Sequence, residues 1–190
     1  IYGNEITEEK VIRNQLEFVE GDSFSTRKLK NSINRIKSTG IFKDTKYKIT
    51  EEDNNLVSVD LSVEEQPTGS ISAGAGYGST GGLITGSLSE KNLFGTGIAS
   101  NIEFSLTEDK ITGFIDIINP DYKNSGNTLK NSVGIIDEDF SNVGYESSKV
   151  VAQTSYRYEL FEDIYYQPGV LFDYDPVSYT HLRAHETRYD

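Results

Sequence analysis

Two kinds of residue pattern in this chain could support chemistry. His181 and His185 are the only histidines, and their i, i+4 spacing would place both imidazoles on one side of a helix, as in a zinc-binding pair. Two glycine pairs, Gly74-Ala-Gly76 and Gly95-Thr-Gly97, resemble parts of a phosphate-binding loop. Metal or nucleotide chemistry would have to be sought at these positions.

The surrounding sequence argues against both kinds of site. Neither glycine pair opens a predicted helix, and the lysine of a phosphate-binding loop does not follow either of them. The chain contains no cysteine, which excludes thiolate nucleophiles and cysteine-ligated zinc. Its carboxylates are predicted in turns or on polar faces of strands. The sequence therefore predicts no catalytic residue, no cofactor and no metal site, and we expect a protein that is not an enzyme.

The histidines lie in a C-terminal stretch that has a different explanation. Residues Val177 to Thr187 agree without a gap with one reading frame of a transposase adapter used to prepare sequencing libraries. We expect residues 176–190 to be a sequencing-adapter artefact, which removes both histidines from the functional argument. At its other end the chain begins at Ile1, without methionine or signal peptide, and we expect an internal fragment of a longer protein.

The composition excludes one class of partner and favours β-strands. A formal net charge of −12 over 190 residues argues against nucleic acid, because phosphate contacts need clustered Lys and Arg. Hydrophobic residues make up 35% of the chain and aromatic residues 11%, as in strands where only every second residue is apolar. No run approaches the roughly 20 apolar residues of a transmembrane helix. A membrane barrel and a solvated β-sandwich both fit this composition.

Before Pro67 the pattern predicts a small α+β unit. Thr7 is placed as the N-cap of a first helix whose apolar stripe reaches Val19 and which ends at Gly21. A second helix starts at Ser25 and ends at Gly40, with an apolar i, i+4, i+7 face. A hairpin of residues 45–63 follows, with its turn at residues 53–55. Because the first three residues resemble the tail of a strand, the predicted order is strand, helix, helix, strand, strand.

After Pro67 the pattern predicts about seven long strands with two different faces, the last of them at residues 165–174. The first is rich in glycine: Ile71 and the alanines form one face, and serines and glycines form the other. Such a strand packs weakly, so we expect an edge that can open. The small face consists of Ser70, Ser72, Gly74, Gly76 and Gly78. Tyrosines lie near the predicted strand ends at Tyr77, Tyr122, Tyr145, Tyr158, Tyr165 and Tyr166.

Taken together, these motifs resemble the Omp85 superfamily. The shared features are the α+β unit, the glycine-rich strand, the helix-to-strand corner Gly40-Ile41-Phe42, and a turn. The turn consists of Asn92, Leu93, Phe94, Gly95, Thr96 and Gly97. The resemblance implies an α+β POTRA domain (β-α-α-β-β) followed by antiparallel transmembrane strands of an incomplete β-barrel. The implied domains are residues 1–66 (POTRA, first strand truncated), 67–69 (linker) and 70–175 (barrel strands).

The resemblance also implies a function and a location. Such a protein is an outer-membrane assembly factor that folds and inserts β-barrel proteins, with its POTRA part in the periplasm. The implied partners are unfolded outer-membrane protein clients, periplasmic or lipoprotein assembly partners, and outer-membrane lipid. Two alternatives remain open at this stage. One is a TamA-like factor or a two-partner secretion transporter of the same superfamily, and the other is a soluble or surface-displayed β-sandwich adhesin.

Overall fold

The computed structural model describes residues 1–52, 56–78, 81–140 and 145–179, so the predicted turn at 53–55 and both histidines lie outside the described residues. The N-terminal unit has two helices and an antiparallel hairpin. Tyr2 adds a parallel bridge to Ser62, which confirms the predicted order of elements. The elements are α1 (Glu9–Arg13), α2 (Thr26–Ser38), β1 (Phe42–Glu52) and β2 (Leu56–Glu65).

Helix α2 contributes three of the nine buried apolar side chains in the described core of this unit. Leu29, Ile33 and Ile36 are buried, as their spacing predicts, and they pack with Leu61 and Val63 of β2. The Ser25 hydroxyl accepts a hydrogen bond from the Lys28 amide at 3.5 Å, as an N-cap does. Neither described helix is long and apolar enough to cross a membrane.

The prediction for the first helix is wrong in both its start and its length. Helix α1 has only five residues; Glu8 is its cap residue, and Thr7 lies before the helix. The chain leaves the helical path because the Glu17 amide donates instead to the hydroxyl of Ser32, a fully buried residue of α2, at 2.9 Å. Val19 is consequently 67% exposed instead of lying on an apolar stripe.

The rest of the described chain forms one antiparallel sheet. Its six long strands pair as successive neighbours in chain order, and three short strands then pair with the last of the six. A single long strand was predicted at residues 165–174, but it is interrupted at Gln167 and Pro168, where proline cannot donate to the ladder. The strands are β3 (Gly69–Gly78), β4 (Gly81–Glu90), β5 (Ala99–Thr107), β6 (Lys110–Asn119), β7 (Thr128–Phe140), β8 (Tyr145–Phe161), β9 (Ile164–Tyr166), β10 (Gly169–Tyr174) and β11 (Val177–Tyr179).

The carboxylate of Glu65, at the end of β2, holds the segment that precedes α1. It accepts hydrogen bonds from the amides of Thr7 at 2.7 Å, Ile6 at 3.0 Å and Glu5 at 3.2 Å. Burial acts to raise the pKa of Glu65, but these hydrogen bonds outweigh it and hold the pKa below its ordinary value. The ionised form of Glu65 is therefore the form that fixes residues 5–7.

This contact predicts a loosening of residues 5–7 in acid. The pKa of Glu65 in the folded protein lies below its unfolded value of about 4.3. The stabilisation of residues 5–7 by Glu65 is therefore fully present above that pH and is lost as pH falls through the folded pKa. Glu65→Gln should release the segment already at neutral pH. NMR amide shifts of residues 5–7 in the detergent-solubilised chain measure this, with Glu64→Gln, which removes only an exposed pair with Lys43, as the control. Unchanged amide shifts in Glu65→Gln would contradict the assignment.

Candidate functional site

The register of the sheet puts apolar residues of all its long strands on one face. A single cross-strand row runs from β3 to β10, and its larger members are exposed. The row consists of Ile71, Leu88, Ile102, Ile115, Val133, Ala152 and Phe172, each paired with the next. We call this the apolar face. An exposed apolar surface of this extent, continuous over seven strands, marks a site of interaction with lipid or protein.

The opposite face, which we call the polar face, carries serines, charged residues and ion pairs. The row next to the apolar one consists of Ser70, Ser89, Asn101, Asp116, Ser132, Gln153 and Leu171. Asp116 pairs with Lys130 at 2.9 Å, and Lys149 pairs with Asp173 at 3.4 Å. The sheet therefore separates an apolar side from a polar one, strand by strand.

Strand β3 forms one edge of the described sheet and pairs only with β4 there. All ten of its residues are exposed. Ser70, Ser72, Gly74, Gly76 and Gly78 lie on the polar face. A Cβ at Gly76 or Gly78 would meet no atom within 4 Å, whereas one at Gly74 would lie 2.9 Å from the Thr85 hydroxyl. The small face of β3 carries no large side chain, and the N–H and C=O groups on the free edge of the strand are not covered from that face.

The turn Asn92–Gly97 connects β4 to β5 and is closed by its own side chains. Asn92 Oδ1 accepts a hydrogen bond from the Gly97 amide at 2.7 Å, and the Leu93 amide donates to the Ile98 carbonyl at 2.8 Å. Phe94 has a φ of +53° and is 88% exposed, while Gly95 and Gly97 have φ values of +76° and +72°. Left-handed backbone of this kind favours glycine, which explains the residue type at Gly95 and Gly97.

This turn joins the sheet to the N-terminal unit. Asn92 Nδ2 donates to the hydroxyl of buried Thr7 at 2.8 Å, and the Glu8 amide donates to the Gly95 carbonyl at 2.8 Å. A Cβ at Gly95 would lie 2.1 Å from the Ile6 carbonyl oxygen, so only glycine permits this approach. No local pattern indicates this role of Thr7, because its partner Asn92 lies 85 residues away.

The corner Gly40-Ile41-Phe42 connects α2 to β1 and lies close to the same joint. Gly40 has a φ of +68°, and Ile41 and Phe42 are buried in the core. Gln66 donates from its side chain to the Gly40 carbonyl at 2.9 Å and from its amide to the Ile41 carbonyl at 3.1 Å. The segment that leads into β3 is thereby tied to the corner.

A second turn, Asp121–Gly126 between β6 and β7, repeats the geometry of the first. Asp121 Oδ1 accepts from the Gly126 amide at 2.7 Å, and the Tyr122 amide donates to the Asn127 carbonyl at 2.8 Å. Lys123 has a φ of +56°, matching Phe94. This repeat was not predicted, although both turns share an Asx residue followed at fixed spacing by Ser or Thr and then glycine.

Aromatic rings cluster at this same end of the sheet. Tyr156 contacts Tyr122 with ring centroids 6.3 Å apart and Tyr158 at 5.9 Å, and Tyr158 contacts Tyr166 at 5.7 Å. Two of these four tyrosines lie on β8, close to its C-terminal end. Within the described ranges no group of three or more His, Asp or Glu is arranged to hold a metal ion.

The close approach at Gly95 predicts that its alanine variant disturbs the joint. Gly95→Ala and the control Gly126→Ala both place alanine at a positive φ, which costs about 1 kcal/mol of stability at either position. Only Gly95→Ala also pushes against the Ile6 carbonyl, since a Cβ at Gly126 would meet nothing within 4 Å. We therefore expect the N-terminal unit to undock in Gly95→Ala alone.

The absence of cysteine allows this to be measured directly. Spin labels on cysteines introduced at Lys28 and Glu162 report the distance between α2 and the sheet. Gly95→Ala should broaden the distance distribution, whereas Gly126→Ala should preserve it. Equal distributions in the two variants would show that the contact does not hold the joint.

Comparison with known proteins identifies both parts of the chain. A family model described as POTRA, surface antigen variable number repeat, matches residues 1–66. The chain is 31% identical over 118 residues to outer membrane protein assembly factor BamA of Buchnera aphidicola, a match covering 60% of this chain and 19% of that protein. It is 30% identical over 132 residues to BamA of Neisseria meningitidis, covering 68% of this chain and 17% of that protein. The chain thus spans less than a fifth of the length of these relatives.

Solved structures show the same fold. BamA from Haemophilus ducreyi lacking POTRA domains 1-3 matches with a TM-score of 0.81 at 22% identity, over 93% of this chain and 34% of that chain. CdiB from Acinetobacter baumannii matches with a TM-score of 0.54 at 14% identity, over 88% of this chain and 36% of that chain. The family model, the named relatives and the first of these folds agree. The chain belongs to the BamA-like Omp85 family, with a POTRA domain followed by strands that match the barrel region of BamA.

Proposed function

We propose that this chain is part of an outer-membrane assembly factor that folds and inserts β-barrel proteins into the outer membrane. The observation that carries the proposal is the exposed edge at β3, on a sheet whose fold matches BamA. The relatives from Buchnera aphidicola and Neisseria meningitidis are both named outer membrane protein assembly factors. An edge strand offers unpaired N–H and C=O groups to which an incoming strand can pair.

The location follows from the two faces of the sheet. The apolar face would contact outer-membrane lipid, and the tyrosine cluster would lie at the level of the lipid headgroups, where aromatic girdles of membrane barrels occur. The POTRA domain, residues 1–66, would then lie in the periplasm, with residues 67–69 as the linker and residues 70–175 as barrel strands. This division assigns the turns Asn92–Gly97 and Asp121–Gly126 to the periplasmic end of the barrel.

The partners follow from the same arrangement. Unfolded outer-membrane proteins are the proposed clients, and they would pair with the edge of β3. The outer side of α2 carries a row of cations that would dock periplasmic or lipoprotein assembly partners. This row consists of Arg27, Lys28, Lys30 and Lys37, whereas Arg35 of the same helix faces the turns of the sheet. No role for nucleic acid is proposed.

The alternatives receive less support. A β-sandwich adhesin would bury the apolar faces of two sheets against each other, whereas the described strands after residue 68 form one sheet with an exposed apolar face. A TamA-like factor or a two-partner secretion transporter shares the superfamily, but the names of the curated relatives favour the assembly factor.

The mechanism depends on weak pairing at β3. A barrel closes by pairing its first and last strands, and glycines in the first strand contribute little packing to that seam. A client strand can then compete for the backbone ladder without displacing large side chains. The small face of β3, Ser70 to Gly78, is thus proposed as an openable seam.

Adding a β-branched side chain to the seam should slow assembly. Gly76→Val fits without a clash and raises strand stability by up to about 1 kcal/mol. In the full-length protein we expect a closed, heat-modifiable barrel but a slower insertion of a client barrel protein into liposomes. Gly82→Val is the matched control, because it adds the same side chain to open space on β4, which lies inside the sheet. A normal assembly rate in folded Gly76→Val would refute the openable seam and leave the glycines as a packing feature.

A further inference from the structure

A cavity of about 700 Å³ lies between the POTRA helices and the two repeated turns. Its walls are α1, the C-terminal end of α2, and residues of the turns Asn92–Gly97 and Asp121–Gly126. Its volume is in the range of sites that hold a ligand. The cavity therefore lies next to the joint, where the N-terminal unit meets the sheet.

The lining of this cavity is strongly cationic although the chain as a whole is acidic. Lys10 is paired with Glu8. In the part of the chain that the structure describes, Arg35, Lys91 and Lys123 form no ion pair, and Lys123 lies over the ring of Tyr122, 5.3 Å from its centroid. Three cations of one cavity are thus available to carboxylates or phosphates of a ligand.

The same cavity contains one unsatisfied acceptor. Asp121 Oδ1 closes the second turn, but Asp121 Oδ2 is buried and has no hydrogen-bond partner. In the first turn the equivalent position is Asn92 Nδ2, which is satisfied by Thr7 of the docked segment. A buried polar atom without a partner is costly, so the second turn lacks a stabilising contact that the first turn has.

The position of the cavity indicates a polypeptide ligand and not a lipid. Ala99 and Ile118 line it, and they pair with each other on the polar face of the sheet, away from the exposed apolar row. An extended segment of this chain, residues 6–8, already docks on the neighbouring turn through a backbone N–H and a hydroxyl. In the second turn Asn124 stands in the place of Gly95 and accepts a hydrogen bond from the Asn14 side chain at 2.9 Å. Among the described residues no backbone amide of the N-terminal unit bonds to this turn, and the cavity beside it is open.

We propose that this cavity binds an acidic, extended segment of a client polypeptide. Arg35, Lys91 and Lys123 take its carboxylates. The identity of the occupant as a client rests on the proposed function. The site would hold a client next to the periplasmic end of the sheet before its strand pairs at β3.

The test uses the intact protein in detergent and a fluorescent octapeptide of alternating Glu and Thr. Arg35→Gln combined with Lys123→Gln should weaken peptide binding about tenfold, since each partly exposed charge pair contributes modestly. A peptide with Gln in place of Glu should lose a similar factor. Lys46→Gln combined with Lys48→Gln removes the same charge from β1, outside both the cavity lining and the cation row of α2, and should change the affinity little. A photocrosslinker at Ser38, which lines the cavity, should capture the acidic peptide in the otherwise unchanged protein.

The outcomes separate this inference from the function on which it rests. Equal affinity in both double variants, or no crosslink from Ser38, would overturn the inference. It would also be overturned if the cavity variants lost binding to anionic vesicles while peptide binding stayed the same. Client insertion into liposomes by the unsubstituted protein is measured in parallel. Failure of that assay would count against the assembly function, whereas normal insertion without peptide capture would count against the cavity alone.

Discussion

The cross-strand register of the sheet is the constraint on which the rest of the structure depends. Because side chains alternate with a period of two, a slip of one residue in any pair would send its apolar residues to the polar side. The continuous row from Ile71 to Phe172 shows that no such slip occurs between β3 and β10. Aromatic side chains reinforce the register where glycine leaves space: Phe104 covers Gly86, and Phe114 covers Gly134.

The joint between the POTRA domain and the sheet depends on that register in turn. The turns at one end of the sheet are placed by the strands they connect, and the first of them receives Thr7 and Glu8 through two hydrogen bonds. Glu65 holds the other side of the same segment. A short segment of the POTRA domain is thus held between a carboxylate of its own hairpin and a turn of the sheet. This arrangement brings the helices close enough to the second turn to enclose a cationic cavity.

The sequence predicts most where the determining interactions are local. Helix α2 follows from its cap at Ser25 and its apolar spacing, and the apolar and small faces of β3 follow from simple alternation. Helix α1 was predicted too long. The Glu17–Ser32 hydrogen bond diverts the chain from the helix, and because its two residues are 15 positions apart, no local sequence pattern indicates it. The role of Thr7 was mistaken for the same reason. The repeated turn was detectable, since Asn92 and Asp121 are followed at equal spacing by Thr96-Gly97 and Ser125-Gly126.

The central claim is that one face of the sheet contacts lipid while the other contacts water. The chain contains no tryptophan, so a single introduced tryptophan reports its own surroundings without background from others. Ile102 and Glu103 are neighbours on β5 that lie on opposite faces. In the protein reconstituted into vesicles whose acyl chains are brominated, the account predicts strong fluorescence quenching for Ile102→Trp and little for Glu103→Trp. Equal quenching of the two tryptophans would contradict it.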